Sequence, residues 1–157
     1  MIERIKAVPA VYLLLECGRK ILLMRRFNTG YQDGSYSVPA GHIDGDELPT
    51  EALVRETSEE IGVHLRPSQL KLVHTSYRPK HDQTGSRVDL YFSAVGWSGI
   101  VVNVEPHKCD DVRWFDFGSL PENTIPQVRL AIECFRKGVS FSELGVDWLK
   151  ANNLYKL

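Results

Sequence analysis

The alternation of apolar and polar residues divides the chain into several short strands and two helices. Two apolar runs, residues 4 to 16 and 20 to 27, flank Gly18, which is the pattern of paired strands in a hairpin. Arg4 and Lys6, followed by apolar residues from Ala7 to Leu15, imitate a secretory signal, but Pro9 and Glu16 favour a strand. Later runs with strand-like alternation predict four further strands, near residues 36–39, 65–77, 87–97 and 112–117.

Helical spacing is confined to two segments. Pro49 suits a first helical turn and Gly62 a stop, which predicts a helix from about Pro49 to Ile61. A second helix is predicted from about Pro126 to Lys137, with Gly138 just beyond it. Strands and helices follow one another without a regular β-α-β order. The pattern therefore predicts an α/β sandwich with a mixed β-sheet.

Composition narrows the class of protein without naming a function. A chain of 157 residues with 43% hydrophobic and 25% charged residues is expected to form one domain, residues 1–157. A net charge of -1 offers no global field for a nucleic acid polymer or a membrane surface, so neither partner is expected. Three cysteines without C-x-x-C spacing indicate a reducing compartment, which we interpret as the cytoplasm.

One segment, residues 41–63, carries the chemical information. Its sequence is GHIDGDELPTEALVRETSEEIGV, with fixed-spacing matches at Gly41, Glu47, Arg55, Glu56, Glu59, Glu60 and Gly62. This pattern resembles the Nudix box, and it covers 23 of the 157 residues directly. The resemblance implies an α/β/α sandwich fold of the Nudix type and hydrolysis of a nucleoside diphosphate linked to another group.

The box departs from the family pattern at Thr57, where the family has an aliphatic residue. At 100° per residue this position shares a stripe with Leu53, Val54 and Ile61, which is expected to pack on the sheet. Threonine keeps the β-branched shape, and we expect its hydroxyl to bond to the carbonyl of Leu53 one turn earlier. The departure should cost modest stability and leave catalysis intact.

The same helical geometry brings Glu56, Glu59 and Glu60 within an arc of about 100°. Neighbouring carboxylates repel one another unless a cation lies among them, and hard oxygen ligands suit Mg²⁺, with Mn²⁺ as an alternative. Glu56 and Glu60 are the first choices as ligands, and the resemblance adds the Gly41 carbonyl. Glu59 is either a ligand or the general base, and Glu105 is either one more ligand or an ordinary loop residue.

Arginines near the box are assigned to orientation and to phosphate binding. Arg55 is grouped with the catalytic residues Glu59 and Glu60 because its fork of hydrogen bonds can hold Glu47 against the helix. Arg26 is a candidate to bind a substrate phosphate, with a solvated strand end as the alternative. The basic loop from Arg78 to His81 either covers the site or is simply solvated.

The segment from Asn103 to Cys109, followed by Trp114, resembles Nudix members that act on nucleoside triphosphates. The favoured function is therefore Mg²⁺-dependent hydrolysis of a nucleoside triphosphate with release of pyrophosphate. Alternatives are a nucleotide-sugar or ADP-ribose pyrophosphatase and a non-catalytic nucleotide-sensing module. Isopentenyl diphosphate isomerase shares the box, but no matching cysteine context is evident here. The resemblance is also compatible with a homodimer.

Overall fold

The computed structural model describes residues 2–157, in which nine strands and three α-helices are formed. The strands are β1 Ala7–Leu14, β2 Glu16–Cys17, β3 Lys20–Arg26, β4 Tyr36–Ser37, β5 Ala40–His42, β6 Leu70–Arg78, β7 Ser86–Ala94, β8 Cys109–Asp116 and β9 Phe141–Glu143. The helices are α1 Pro49–Ile61, α2 Pro126–Lys137 and α3 Val146–Ala151. Within these residues, no helix has the length and apolar character needed to cross a bilayer.

Two sheets form the middle of the molecule. The larger sheet has the strand order β5-β1-β7-β6-β9 and is mixed, because β1 pairs with β7 and β6 with β9 in parallel while its other pairs are antiparallel. The smaller sheet is antiparallel, and in it β3 pairs with β2, β4 and β8. This arrangement confirms the predicted α/β class with a mixed sheet.

Alternate residues of the central strands point to opposite helices, which is the period of two expected for buried strands. Val11 and Leu13 of β1 pack in the core cluster that contains Leu53 of α1. Leu14 of β1 packs in a second cluster with Ile132 of α2. Both faces of the strands are therefore buried, and the sheets lie between the two main helices.

The predicted hairpin between residues 4–16 and 20–27 is wrong in its pairing. Only Glu16 and Cys17 pair with β3, through Ile21 and Lys20. Strand β1 instead lies between β5 and β7 in the other sheet. Strand β1 is apolar on both faces, so it lies inside the sheet and its backbone needs a hydrogen-bonding partner along each edge. One of these partners, β7, is parallel and distant in sequence, so no local turn signals the pairing.

Both predicted helices are confirmed at their ends, and each is followed by a glycine in the left-handed region. Gly62 has φ 69° after α1, and Gly138 has φ 69° after α2. The strand predicted from residue 65 begins later, at Leu70, because Pro67 starts a short 3-10 turn. The remaining predicted strands differ from the observed ones by at most three residues at each end.

Thr57 lies on the buried stripe of α1 as predicted, but its hydroxyl does not bond to Leu53. The side chain is 0% exposed, and its Oγ1 has no hydrogen-bond partner among the described residues. The predicted bond is therefore wrong, and the buried neighbours on this stripe, Leu53 and Ile61, are apolar and offer no side-chain partner instead. A buried hydroxyl is thus left unsatisfied at a position suited to an aliphatic side chain.

Candidate active site

The apolar stripe of helix α1 packs on the sheets, and the acidic residues beside that stripe face β5, which is the edge strand of the larger sheet. The helix is fixed at its start by the Leu48 N–H, which donates to Glu51 Oε1 at 2.9 Å. Near its end, the Ala40 N–H of β5 donates to Glu60 Oε2 at 3.2 Å. This bond ties the carboxylate of Glu60 to the strand that also carries Gly41.

Gly41 has no side chain because the carboxyl group of Glu56 occupies that space. A Cβ atom built on Gly41 would overlap the Cδ and Oε1 atoms of Glu56. The backbone of Gly41 does not lie in the left-handed region, so the requirement for glycine here is one of space. The backbone of Gly41 and the carboxylate of Glu56 are consequently close neighbours.

Arg55 makes the fork of hydrogen bonds that the sequence indicated. Its Nε donates to Glu47 Oε2 at 2.8 Å, and its Nη2 donates to Glu47 Oε1 at 2.9 Å. The other guanidinium nitrogen, Nη1, reaches Glu56 at 3.0 Å and Glu59 at 3.4 Å. One arginine therefore joins the loop before α1 to two of the candidate ligands.

The carboxylates respond to burial and to one another. Burial raises the pKa of Glu56, although the Arg55 guanidinium opposes that shift. The pKa of Glu60 lies well above its ordinary value, first because of burial and then because of the Glu56 carboxylate. Glu105 contributes repulsion to both groups, so it lies near them. The pKa of Glu47, in contrast, lies below its ordinary value because Arg55 donates hydrogen bonds to its carboxylate.

Among residues 2–157, no three His, Cys, Asp or Glu side chains are already gathered in a metal-binding arrangement. The carboxylates are turned to protein donors instead: Arg55 holds Glu56 and Glu59, and the Ala40 N–H holds Glu60. Rotation of these side chains would expose a set of hard oxygen donors, and such a set suits Mg²⁺. Burial raises the pKa of Glu60 most, and the repulsion from Glu56 that adds to it is what a divalent cation would relieve.

The carboxylates line a cleft of about 720 Å³. Its other walls come from the larger sheet, from β3 and the loop after it, and from the start of α2. Residues of the predicted site that line this cleft are Arg26, Gly41, Glu56, Glu59, Glu60 and Glu105. Arg55 stands behind them, joined to Glu56 and Glu59.

The arginines that line the cleft differ in whether a carboxylate neutralises their charge. Arg25 is bound to Asp110 at 2.7 Å, and Arg78 forms a buried ion pair with Asp89 at 2.9 Å. Arg26 donates only to neutral oxygens, the Tyr31 carbonyl at 2.6 Å and the Thr29 hydroxyl at 3.0 Å. In the described part of the chain, Arg26 therefore has no carboxylate partner within salt-bridge distance.

Lys108 was not singled out from the sequence. Its Nζ lies 3.7 Å from Glu105 Oε2 and it lines the cleft beside the carboxylates. Gln127 and Tyr31 were also missed, although both line the same cleft. Gln127 was hidden within a segment interpreted only as a helix, and Tyr31 within a loop, so no local pattern marked either residue.

The basic loop after β6 is partly buried. Arg78 is 4% exposed and His81 is 3% exposed, and both line the cleft, so the interpretation of a merely solvated loop is wrong for these two residues. His81 interacts with the backbone through Nδ1, which lies 2.8 Å from the carbonyl of Pro79. The loop thus contributes a wall of the cleft.

Comparisons with known proteins agree with this arrangement. A family model of the NUDIX domain matches residues 4–133. Among solved structures, the MutT NUDIX hydrolase from Burkholderia pseudomallei has a TM-score of 0.72 with 25% identity, covering 82% of this chain and 97% of that one.

Two curated relatives carry functional names. The ADP-ribose pyrophosphatase of Methanocaldococcus jannaschii is 31% identical over 119 residues, which cover 73% of this chain and 66% of that protein. The NAD-capped RNA hydrolase NudC of Stutzerimonas stutzeri is 26% identical over 113 residues, which cover 72% of this chain. The chain spans only 38% of the length of that second relative.

Proposed function

The chain belongs to the NUDIX family, and from this premise we propose that it hydrolyses a phosphoanhydride bond in a nucleoside diphosphate-linked substrate. The favoured class is a nucleoside triphosphate, which would yield a nucleoside monophosphate and pyrophosphate. One observation carries the proposal: four glutamates, Glu56, Glu59, Glu60 and Glu105, line one cleft beside Gly41. Such a cluster of oxygen donors serves phosphate chemistry when a divalent cation neutralises it.

In this proposal Mg²⁺ is held by the Gly41 carbonyl and by the carboxylates of Glu56, Glu60 and Glu105, with Mn²⁺ as a substitute. Bound there, the ion supplies a lowered pKa for water and offsets negative charge on the phosphoryl oxygens. Arg55 positions Glu56 and Glu59 through its hydrogen bonds. Glu59, whose side chain is 52% exposed, is either a further ligand or the base that accepts the proton from water.

We assign phosphate binding to two of the cations that line the cleft with the carboxylates, Arg26 and Lys108. Arg26 has no carboxylate partner within salt-bridge distance in the described residues, and Lys108 meets Glu105 only at 3.7 Å. Both side chains are thus available to donate to the outer oxygens of a triphosphate. A triphosphate has more negative charge to place near these cations than a sugar-linked diphosphate has, which is why the triphosphate is favoured.

A second candidate, an ADP-ribose pyrophosphatase, is supported by the name of the relative that is 31% identical. The third alternative is a module that binds the nucleotide without cleaving it. Several carboxylates buried near one another make the molecule less stable without a cation, and a pure sensor would have no need of that cost. The two hydrolases differ in the products that they form, and the sensing module forms none.

Product analysis distinguishes them. The pure protein is incubated with Mg²⁺ or with EDTA and a panel of nucleoside triphosphates, ADP-ribose, nucleotide sugars and NAD-capped RNA. Magnesium-dependent release of pyrophosphate from a triphosphate is the expected result. AMP and ribose 5-phosphate from ADP-ribose, with triphosphates untouched, would establish the second candidate. Tight binding of a nucleotide with no turnover of any substrate would overturn the proposal in favour of the sensor.

A further inference from the structure

A half-satisfied carboxamide lies where α2 meets the cleft. The Gln127 side chain is 4% exposed, and its Nε2 donates to the Tyr31 hydroxyl at a long 3.4 Å. Its Oε1 is buried and has no hydrogen-bond partner in the described residues. Buried polar atoms without partners are uncommon in folded proteins and call for an explanation.

The backbone around this side chain adds two donors, the N–H groups of Gln127 and Val128, since Pro126 has no N–H and those of Ile125 and Arg129 donate to the carbonyls of Tyr36 and Ile125. Helix α2 begins at Pro126, and its first turn has no side-chain cap. The first N–H groups of a helix have no partner inside the helix, and they carry its partial positive charge. Ile125, Gln127 and Val128 all line the cleft, so this turn and its carboxamide face the same space as the glutamates.

A continuous series of contacts leads from the glutamates to Gln127. Arg26 lies close enough to Glu60 to affect that carboxyl group electrostatically. The Arg26 guanidinium lies over the ring of Tyr31, 5.4 Å from its centroid, and the Tyr31 hydroxyl meets Gln127. The order along the cleft is therefore metal ligands, a phosphate-binding cation, an aromatic ring and a carboxamide.

A nucleotide has its parts in the same order, with phosphates at one end and a flat heterocycle that carries hydrogen-bonding groups at the other. We propose that Gln127 and Tyr31 form the nucleobase subsite, in which Gln127 binds the edge of the base and Tyr31 packs against its face. The assignment of the ligand as a nucleotide rests on the function proposed above. Tyr31 is 43% exposed, so its ring has free surface for stacking.

The other walls of the subsite favour a base over a sugar or a phosphate. Val38, Ile125 and Val128 line the cleft near Gln127 and are apolar, so they suit a planar heterocycle better than a ring of hydroxyl groups. Glutamine pairs with bases because its carboxamide offers one acceptor and two donors in a plane. Its terminal torsion is broad, so Oε1 can turn to accept from an amino or ring N–H group of the base.

The test compares substrates that share their phosphates and differ in the base. The values of kcat/KM for the four nucleoside triphosphates are measured in the wild type, in Gln127→Met and in the control Glu133→Gln, an exposed residue of the same helix. Methionine keeps the length of the side chain and removes both hydrogen-bonding groups. The wild type and the control should favour one base over the least favoured by about 10-fold or more, through KM.

In Gln127→Met this preference should shrink to about 2-fold, because KM for the favoured base rises toward that of the poorest base. Tyr31→Ala should lower kcat/KM by about 10-fold for every base, because stacking tolerates any base. A wild type without base preference, or an unchanged preference in Gln127→Met, would overturn the proposal. Gln127→Met removes the unpartnered Oε1 together with one long hydrogen bond, so it should fold about as stably as the wild type, and thermal unfolding checks this.

Binding of the four nucleoside monophosphates, measured by calorimetry, separates this inference from the proposed function. If no phosphoanhydride is hydrolysed but monophosphate binding depends on the base and on Gln127, the subsite stands and the hydrolase does not. If triphosphates are hydrolysed with Mg²⁺ but neither turnover nor binding depends on Gln127, the hydrolase stands and the subsite is wrong.

Discussion

At the scale of single residues, the two informative positions are a buried threonine and a glycine packed against a carboxyl group. Thr57 has a buried hydroxyl with no partner among the described residues, and Gly41 leaves room for the carboxyl group of Glu56. The first position concerns stability and the second concerns the site. Substitution should therefore separate the two properties.

Replacement of Thr57 with valine should stabilise the protein. Valine keeps the β-branched shape and removes an unsatisfied buried hydroxyl, so the free energy of unfolding should rise by about 1 kcal/mol. Thr57→Ser, which keeps the hydroxyl and deletes a methyl group, should lower it by a similar amount. Urea unfolding measures both variants. A lower midpoint for Thr57→Val would mean that the hydroxyl has a partner.

Replacement of Gly41 with alanine should impair catalysis more than folding. The new methyl group would collide with Glu56 and turn its carboxylate away from the cleft, so kcat should fall by about 10-fold or more, as for other displaced catalytic groups. The matched control is Gly118→Ala, because nothing lies within 4 Å of a Cβ atom there and its φ is not positive. Equal activity in the two variants would contradict the placement of Glu56.

At the scale of secondary-structure elements, helix α1 and the loop before it act as one unit through Arg55. The guanidinium fork to Glu47 fixes the loop, and the third nitrogen holds the acidic face of the helix. The planar fork is specific to arginine, since a lysine ammonium offers a single charged centre. Positive charge alone should not replace it.

Arg55→Lys should therefore lower kcat by about 10-fold to 100-fold while the thermal midpoint changes little, because the ion pairs are partly exposed. Steady-state kinetics with the best substrate, together with thermal unfolding, measures the two quantities. Full activity in Arg55→Lys would show that charge is sufficient and that the fork has no positioning role.

The helices could be predicted from the sequence far better than the strand pairing. Pro49, Gly62, Pro126 and Gly138 mark helix ends locally, and the structure places the ends at these residues. The pairing of β1 with β7 joins residues about 80 positions apart, so no turn chemistry announces it. The lining of the cleft also has no local signal in the sequence, since Lys108 and Gln127 come together there only in the folded chain.

At the scale of the whole molecule, the acidic cluster couples stability to pH and to the metal. The pKa of Glu60 is higher in the folded state than its ordinary value of 4.5, so the folded state binds that proton more tightly than the unfolded state. The stabilising contribution of this proton is present below about pH 4.5 and is lost as the pH rises through the raised folded pKa.

Glu60→Gln, which cannot ionise, should escape this loss. Without metal at about pH 8, its Tm should exceed that of the wild type by on the order of 3 °C, or about 1 kcal/mol at this chain length. The difference should vanish near pH 4. Mg²⁺ should raise the Tm of the wild type and have less effect on the variant. Differential scanning fluorimetry across pH tests this, and a lower Tm for the variant at pH 8 would contradict it.

If the glutamates of α1 support magnesium-dependent hydrolysis, turnover of the best substrate should depend on both Glu60 and Mg²⁺. The wild type, Glu60→Gln and the exposed control Glu133→Gln are compared with Mg²⁺ and with EDTA. Glu60→Gln should lose activity by about 100-fold or more, as expected for loss of a catalytic group, whereas the control should retain it and EDTA should abolish it. Turnover that survives EDTA or Glu60→Gln would place the active site elsewhere.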